Sequence, residues 1–202
     1  MERKGDRRVE GIGMSGGWIE VIAGGMFSGK SEELIRRLRR AQIARVPLQV
    51  FVPAIDTRFD PNRVISRDNR KFDAVVVSST DEIRERVDPA AQVIGIDEVQ
   101  FFDERIVDVC MELADAGKRV IVAGLDQDYL RRPFGPMPGL LAVAELVSKM
   151  HAVCMQCGSP AHYSQRLEGG DALIEVGDST YEARCRKCFE PYTREEAAGA
   201  GR

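Results

Sequence analysis

The chain has 202 residues, 44% of them hydrophobic and 30% charged, with a formal net charge of −3. That length holds one α/β domain with a small appendage, and the composition is that of an ordinary globular protein. It offers no bulk positive field for nucleic acid or an anionic membrane surface, and no apolar run approaches the roughly 20 residues of a membrane span.

Residues 1–17 carry charges and glycines but no apolar h-region, so they are not a secretory signal and read as a disordered leader. Trp18-Ile19-Glu20-Val21-Ile22-Ala23 suits a buried strand. It leads into Gly24-Gly25-Met26-Phe27-Ser28-Gly29-Lys30-Ser31, which has the form G-x-x-x-x-G-K-S. Apolar residues at helical spacing follow, from Glu32 to about Arg45. A strand, this loop and a helix in that order make a phosphate cradle. Glycines let successive N–H groups turn inward, and the helix N-terminus adds partial positive charge. Lys30 would reach the β- and γ-phosphates and the Ser31 hydroxyl would ligate Mg²⁺. The competing reading is a glycine-containing turn that binds nothing. Arg36, Arg37, Arg39 and Arg40 give the helix a basic face, read as solvated.

Pro47 breaks the helix, and Leu48 to Val52 reads as a second strand. Residues 53–71 form a polar, proline-flanked stretch without strand or helix periodicity, of the kind that often carries function. Ala74 to Val77 is a third strand, with Ser79-Thr80-Asp81-Glu82 able to cap a helix. Val93 to Ile96 is a fourth strand ending in Asp97-Glu98. A helix spans about Asp103 to Ala116, Gly117 stops it, and Arg119 to Gly124 is the fifth strand. Residues 125–138 contain three prolines and no periodicity, and Leu140 to Met150 reads as one more helix. Alternating strands and helices with near-continuous apolar runs predict an α/β fold, a mostly parallel sheet covered by helices.

An apolar strand ending in an acid, downstream of a phosphate loop, resembles a Walker B element. Asp97 would hold Mg²⁺ directly or through water, and Glu98 would serve as a general base toward an attacking hydroxyl or water. Two acids complementing a helix dipole is the alternative. Gln100, Phe101 and Phe102 lie at the same rim, as pocket wall or as packing, and Gln100 is grouped with the nucleotide site.

The five cysteines fall as two pairs plus Cys110. Cys154, Cys157, Cys185 and Cys188 form a C-x₂-C…C-x₂-C set whose inner gap holds 27 residues, 158 to 184. Four thiolates suit a closed, tetrahedral, structural Zn²⁺ site, and metal binding contributes on the order of 10 kcal/mol to folding such a small segment. Two disulfides are the alternative, disfavoured in a reducing, cytoplasmic setting. Cys110 reads as core, and His151 and His162 as surplus to a filled site.

Taken in order, these pieces resemble the thymidine kinases of the cellular, zinc-containing type. The residues that carry the likeness are Met26 to Ser31, Asp56-Thr57-Arg58, Ile96 to Phe102, Leu125-Asp126, Arg132 to Gly135, Ala152 to Cys157 and Tyr181 to Cys185. The resemblance implies a P-loop, RecA-like domain over 18–150, a zinc-binding lasso domain over 151–192 with a lid loop, and a flexible tail over 193–202. It implies ATP and thymidine as substrates, with Mg²⁺ beside ATP, and deoxyuridine as a second substrate; Ser164, standing where threonine is often found, would relax selection between the two nucleosides. Glu98 would take the proton of the 5′-hydroxyl. Lys30 and Arg58 would stabilise the transferring group, with Asp56 near the metal. Met26, Phe101, Leu125, Tyr129, Phe134, Ser164, Ile174, Val176, Gly177 and Tyr181 would surround the nucleoside, and residues 125–138 resemble the family's lasso. A homotetramer and feedback inhibition by thymidine triphosphate are further implications. Asp128 and Pro136 to Gly139 depart from the family pattern. A P-loop ATPase whose zinc ribbon binds nucleic acid is the rival; Arg166, Arg184, Arg186 and Lys187 are its basic residues, interleaved with acids.

Overall fold

The computed structural model describes residues 16–54, 63–65, 71–167 and 180–191. In chain order the elements are β1 (Trp18–Gly24), α1 (Lys30–Ile43), β2 (Leu48–Pro53), β3 (Arg63–Ile65), β4 (Lys71–Asp73), β5 (Val75–Val77) and α2 (Thr80–Arg86). They continue with β6 (Val93–Ile96), a 3₁₀ turn (Val99–Phe101), α3 (Ile106–Asp115), β7 (Arg119–Gly124), α4 (Met137–Val143) and β8 (Leu146–Met150). The short strands β9 (Ala152–Val153), β10 (Pro160–Ala161), β11 (Tyr163–Arg166) and β12 (Tyr181–Arg184) complete the described chain.

Six strands form one sheet in the order β5-β2-β6-β7-β1-β8, and every pairing in it is parallel. This is the P-loop, RecA-like α/β fold that the sequence implies. Both faces are covered. Ile19, Val21, Ala23, Phe51, Ile94, Ile96, Val120 and Val122 pack toward α3 and α4, together with Ile106, Cys110, Met137 and Leu140. On the other face Leu34, Ile35, Leu38 and Ala41 of α1 cover Ile22, Val50, Val93, Ile121 and Ala123. Burying each such Leu or Ile side chain contributes about 1.5–3 kcal/mol. Cys110 is core, and burial pushes its thiol up to about 12.

Local chemistry sets the element ends. Ser79 caps α2, its hydroxyl accepting from the Glu82 amide at 3.3 Å while the Glu82 carboxylate accepts from the Ser78 amide at 3.2 Å. Glu32 and Glu33 in the first turn of α1 complement its dipole.

Three sequence expectations need correction. Residues 140–150 are not one helix: α4 ends at Val143, Ala144 is extended, and β8 pairs with β1 from Glu20↔Leu146 to Gly24↔Met150. The Glu145 carboxylate accepts from the Ile19 amide at 2.7 Å, which pins the entry of the strand. The open backbone edge of β1 outweighs the local helical preference. Within 53–71, β3 and β4 make an antiparallel pair where no regular structure was expected. Finally, Arg37 is not on a solvated face. Glu20 shares the sheet face of Ile22, beneath α1, and its carboxylate binds Arg37 Nη1 at 2.6 Å, Arg119 Nε at 2.6 Å and Trp18 Nε1 at 2.8 Å. Arg37 also bonds Glu33 and the Ser148 hydroxyl.

Candidate active site

The carboxyl ends of β1, β6 and β7 bring the candidate residues together. The phosphate loop leaves β1 at Gly24, whose φ of 155° and contact with the Met150 carbonyl leave no room for a Cβ, which would sit 2.6 Å from that oxygen. Gly29, at φ 82°, turns the chain into α1, and Phe27 is also left-handed at φ 63°. Ser28 Oγ donates to the Gly25 carbonyl at 2.8 Å, and Lys30 Nζ donates to the same oxygen at 2.8 Å. The lysine amine therefore lies across the loop it is expected to serve.

Asp97 ends β6 and is 6% exposed. Burial first, then the neighbouring Glu98 charge, pushes its carboxyl up to about 7, against a hydrogen bond from Ser31 and the nearby Lys30 ammonium. The residues offered for Mg²⁺ thus meet: Ser31 and Asp97 are in hydrogen-bond contact, and the desolvated carboxylate beside Glu98 is the environment a divalent cation relieves. Donor set and charge both fit Mg²⁺.

Glu98 has φ 50°, a strained conformation for a non-glycine residue, of the sort that clusters at functional sites. Its carboxylate accepts from Gln100 Nε2 at 2.5 Å, and Gln100 Oε1 accepts from the Leu125 amide at 3.0 Å. Gln100 is 2% exposed. Through its amide Gln100 ties Glu98 to the end of β7. No sequence pattern signals that role, because the three residues meet only when β6 and β7 are neighbours.

The nucleoside candidates come together in pairs. Met26 meets Ser164, whose hydroxyl accepts from the Met26 amide at 3.0 Å. Phe101 meets Phe134 edge-on, with ring centroids 6.0 Å apart. Tyr129 and Tyr181 meet through Arg166, as described below. The Leu125 amide donates to Gln100 Oε1. Within residues 125–138, likened to a lasso, the stretch 128–132 forms a compact turn in which Asp128 Oδ1 accepts from the Leu130 and Arg132 amides, each at 2.8 Å, and the last two residues begin α4. Asp56 and Arg58, and likewise Ile174, Val176 and Gly177, lie outside the described residues.

The sulfurs of Cys154, Cys157, Cys185 and Cys188 all lie within 4.8 Å of one another, a group among the described residues that could hold a metal ion. A tetrahedron with Zn–S bonds of about 2.3 Å has edges of about 3.8 Å, and the Cys157–Cys185 separation of 3.6 Å matches it. The set fits zinc. Burial opposes it, but backbone N–H groups of Cys185, Cys157 and Gln156 hold the Cys154 thiol down at about 6, which favours a thiolate ligand. Ala152, Ala161 and Ala183 pack around Cys154 and Cys185, and Phe27 of the phosphate loop packs against this cluster. The ribbon therefore rests on the loop. The rings of His151 and His162 meet edge-on, with centroids 4.3 Å apart, and are not part of the sulfur group.

The family model described as "Thymidine kinase" matches residues 17–189. The chain belongs to the thymidine kinase family. Its curated relatives include "Thymidine kinase" from Rhodothermus sp. (strain ITI 518), 55% identical over 180 residues, 89% of this chain and 84% of that one. Another is "Thymidine kinase" from Bdellovibrio bacteriovorus (strain ATCC 15356 / DSM 50701 / NCIMB 9529 / HD100), 52% identical over 176 residues, 87% of this chain and 86% of that one. The rival nucleic-acid reading loses ground on geometry as well. Of its four basic residues, Arg166 and Arg184 are buried, and Arg184 is committed to Glu182 at 2.7 Å and to the Cys188 carbonyl. Among the described residues no helix is long and apolar enough to cross a membrane.

Proposed function

We propose that this member of the family is an ATP:thymidine 5′-phosphotransferase, moving the γ-phosphoryl group of ATP to the 5′-hydroxyl of thymidine to give thymidine 5′-monophosphate and ADP. Membership of the thymidine kinase family supports the substrates. The observation that carries the chemistry is a carboxylate, Glu98, held by a buried amide at the rim of a phosphate loop. In this reading Glu98 accepts the proton of the 5′-hydroxyl as the O5′–P bond forms and the bond to the β-phosphate oxygen breaks, the electron pair leaving on ADP. Lys30 turns from the Gly25 carbonyl to the phosphates and offsets their charge, aided by Arg58. Ser31 and Asp97, assisted by Asp56, would hold Mg²⁺, which would neutralise phosphate charge. Met26, Phe101, Leu125, Tyr129, Phe134, Ser164, Ile174, Val176, Gly177 and Tyr181 enclose the nucleoside, and excluding water directs transfer to the sugar.

The same reading divides the chain into a nucleotide-binding unit over 18–150 and a zinc-binding unit over 151–192. It takes in deoxyuridine as a second substrate, thymidine triphosphate as a feedback inhibitor, a homotetramer, and a cytoplasmic role in pyrimidine deoxynucleotide salvage. The test is thymidine-dependent ADP release from Mg-ATP in the wild type and in Glu98→Gln. Loss of the general base is expected to lower kcat by about 10²–10⁴-fold. ADP release that ignores thymidine, or an unimpaired variant, would overturn the assignment.

A further inference from the structure

Arg166 is a basic residue with no assigned task in phosphoryl transfer, yet it is 4% exposed. It stands on β11 directly opposite Tyr181 on β12, so both side chains project from the same side of the hairpin. Its Nη2 and Nε donate to the Tyr181 hydroxyl at 2.7 and 3.2 Å. The guanidinium also lies over the Tyr129 ring, with Cζ 3.7 Å from the centroid. One buried cation thus grips two aromatic side chains from distant parts of the chain, one on the 128–132 turn and one on the ribbon hairpin. A guanidinium is planar, permanently charged and able both to stack and to donate in two directions, which lysine does not reproduce.

We propose that Arg166 is a positioning residue for nucleoside recognition, holding Tyr129 and Tyr181 in one fixed relation so that the turn and the hairpin form a single wall. This rests on the reading of those tyrosines as nucleoside-pocket residues. These contacts join the segment bearing Tyr129 to the hairpin bearing Tyr181, so the effect of Arg166 is expected on the nucleoside rather than on ATP.

The test compares Arg166→Met and Arg166→Lys with Tyr181→Phe, Tyr129→Leu and the double variant Arg166→Met/Tyr181→Phe, using the full zinc-loaded chain. Loss of hydrogen bonds to a charged group predicts a rise of about 10–100-fold in KM for thymidine in Arg166→Met, with kcat and KM for ATP within about threefold. Arg166→Lys recovers little of the loss. The double variant is no worse than Arg166→Met alone, because both remove one interaction. Matching losses of kcat, ATP affinity and zinc would make Arg166 a structural residue only, and overturn the proposal. If Tyr129→Leu raises KM for thymidine but Arg166→Met does not, the positioning role fails while the pocket reading stands. If neither tyrosine variant changes that KM, the pocket reading fails and takes the proposal with it.

Discussion

Replacing Gln100 with leucine isolates the link that holds Glu98. The substitution keeps most of the side-chain volume and removes two bonds at once, the 2.5 Å donor contact to Glu98 and the 3.0 Å acceptor contact from the Leu125 amide. At 2% exposure no water replaces them. Stranding a buried N–H costs about 1–3 kcal/mol and losing a bond to a charged group about 1.5–3 kcal/mol, so the sum is roughly 2.5–6 kcal/mol. A domain near the middle of the usual range of about 5–15 kcal/mol survives that, so the variant is expected to fold. Catalysis should suffer separately: a base released from its tether loses orientation, and kcat is expected to fall about 10–10²-fold with KM for ATP nearly unchanged. Urea unfolding followed by the fluorescence of Trp18, the single tryptophan of the chain, reads the first effect, and thymidine-dependent ADP release reads the second. A destabilised variant with wild-type kcat would show that Glu98 orients itself without Gln100. An undestabilised one would refute both hydrogen bonds.

Other outcomes follow from the same geometry. Glu20→Ala takes the carboxylate from Arg119 and one of two carboxylates from Arg37, so a loss of about 3 kcal/mol and a drop in Tm of roughly 10 °C by circular dichroism are expected; a drop under about 2 °C refutes a structural network. The Arg36 guanidinium, against partial burial and with help from Arg37, holds Glu33 down at about 2 from the usual 4.5. A depressed carboxylate stabilises the fold above its unfolded value, and the gain disappears as pH falls from about 4.5 toward 2; Glu33→Gln should flatten stability across that window, and an unchanged slope argues against the pairing. Removing zinc should loosen the β11–β12 hairpin and with it the Ser164 contact to Met26, raising KM for both substrates and opening the ribbon to trypsin; a metal-free chain that resists trypsin and keeps both constants counts against the four-thiolate site.

What the sequence made legible, and what it concealed, divides by range. The phosphate loop, the acids closing β6 and the paired cysteines are local patterns whose chemistry is written in consecutive residues. The strands β6 and β7 were legible because parallel strands buried on both faces are continuous apolar runs. By contrast, β8 was hidden because Leu146 to Met150 continues a segment of helix-compatible residues, and its strand character comes from β1, more than a hundred residues earlier. Arg37 looked solvated among four arginines because nothing nearby announces that Glu20 lies under the helix. Arg166 was hidden for a related reason: all four residues of β11 are buried, so no alternation marks which face each side chain serves. Gln100, too, shows its purpose only once β7 lies beside β6.

The hydrogen bond from the Met26 amide to the Ser164 hydroxyl spans 138 positions in the chain. On a ribosome, the phosphate loop is made long before Ser164, so its backbone waits on a residue 138 positions later. β1 itself waits for β7 and β8, its two neighbours in the sheet. Such long-range pairings are slow to form and leave an apolar strand without partners during synthesis. A nascent chain cut short before residue 164 would carry every residue of the loop and still lack the contact that fixes it. The residues of the loop are thus made well before the one that braces them.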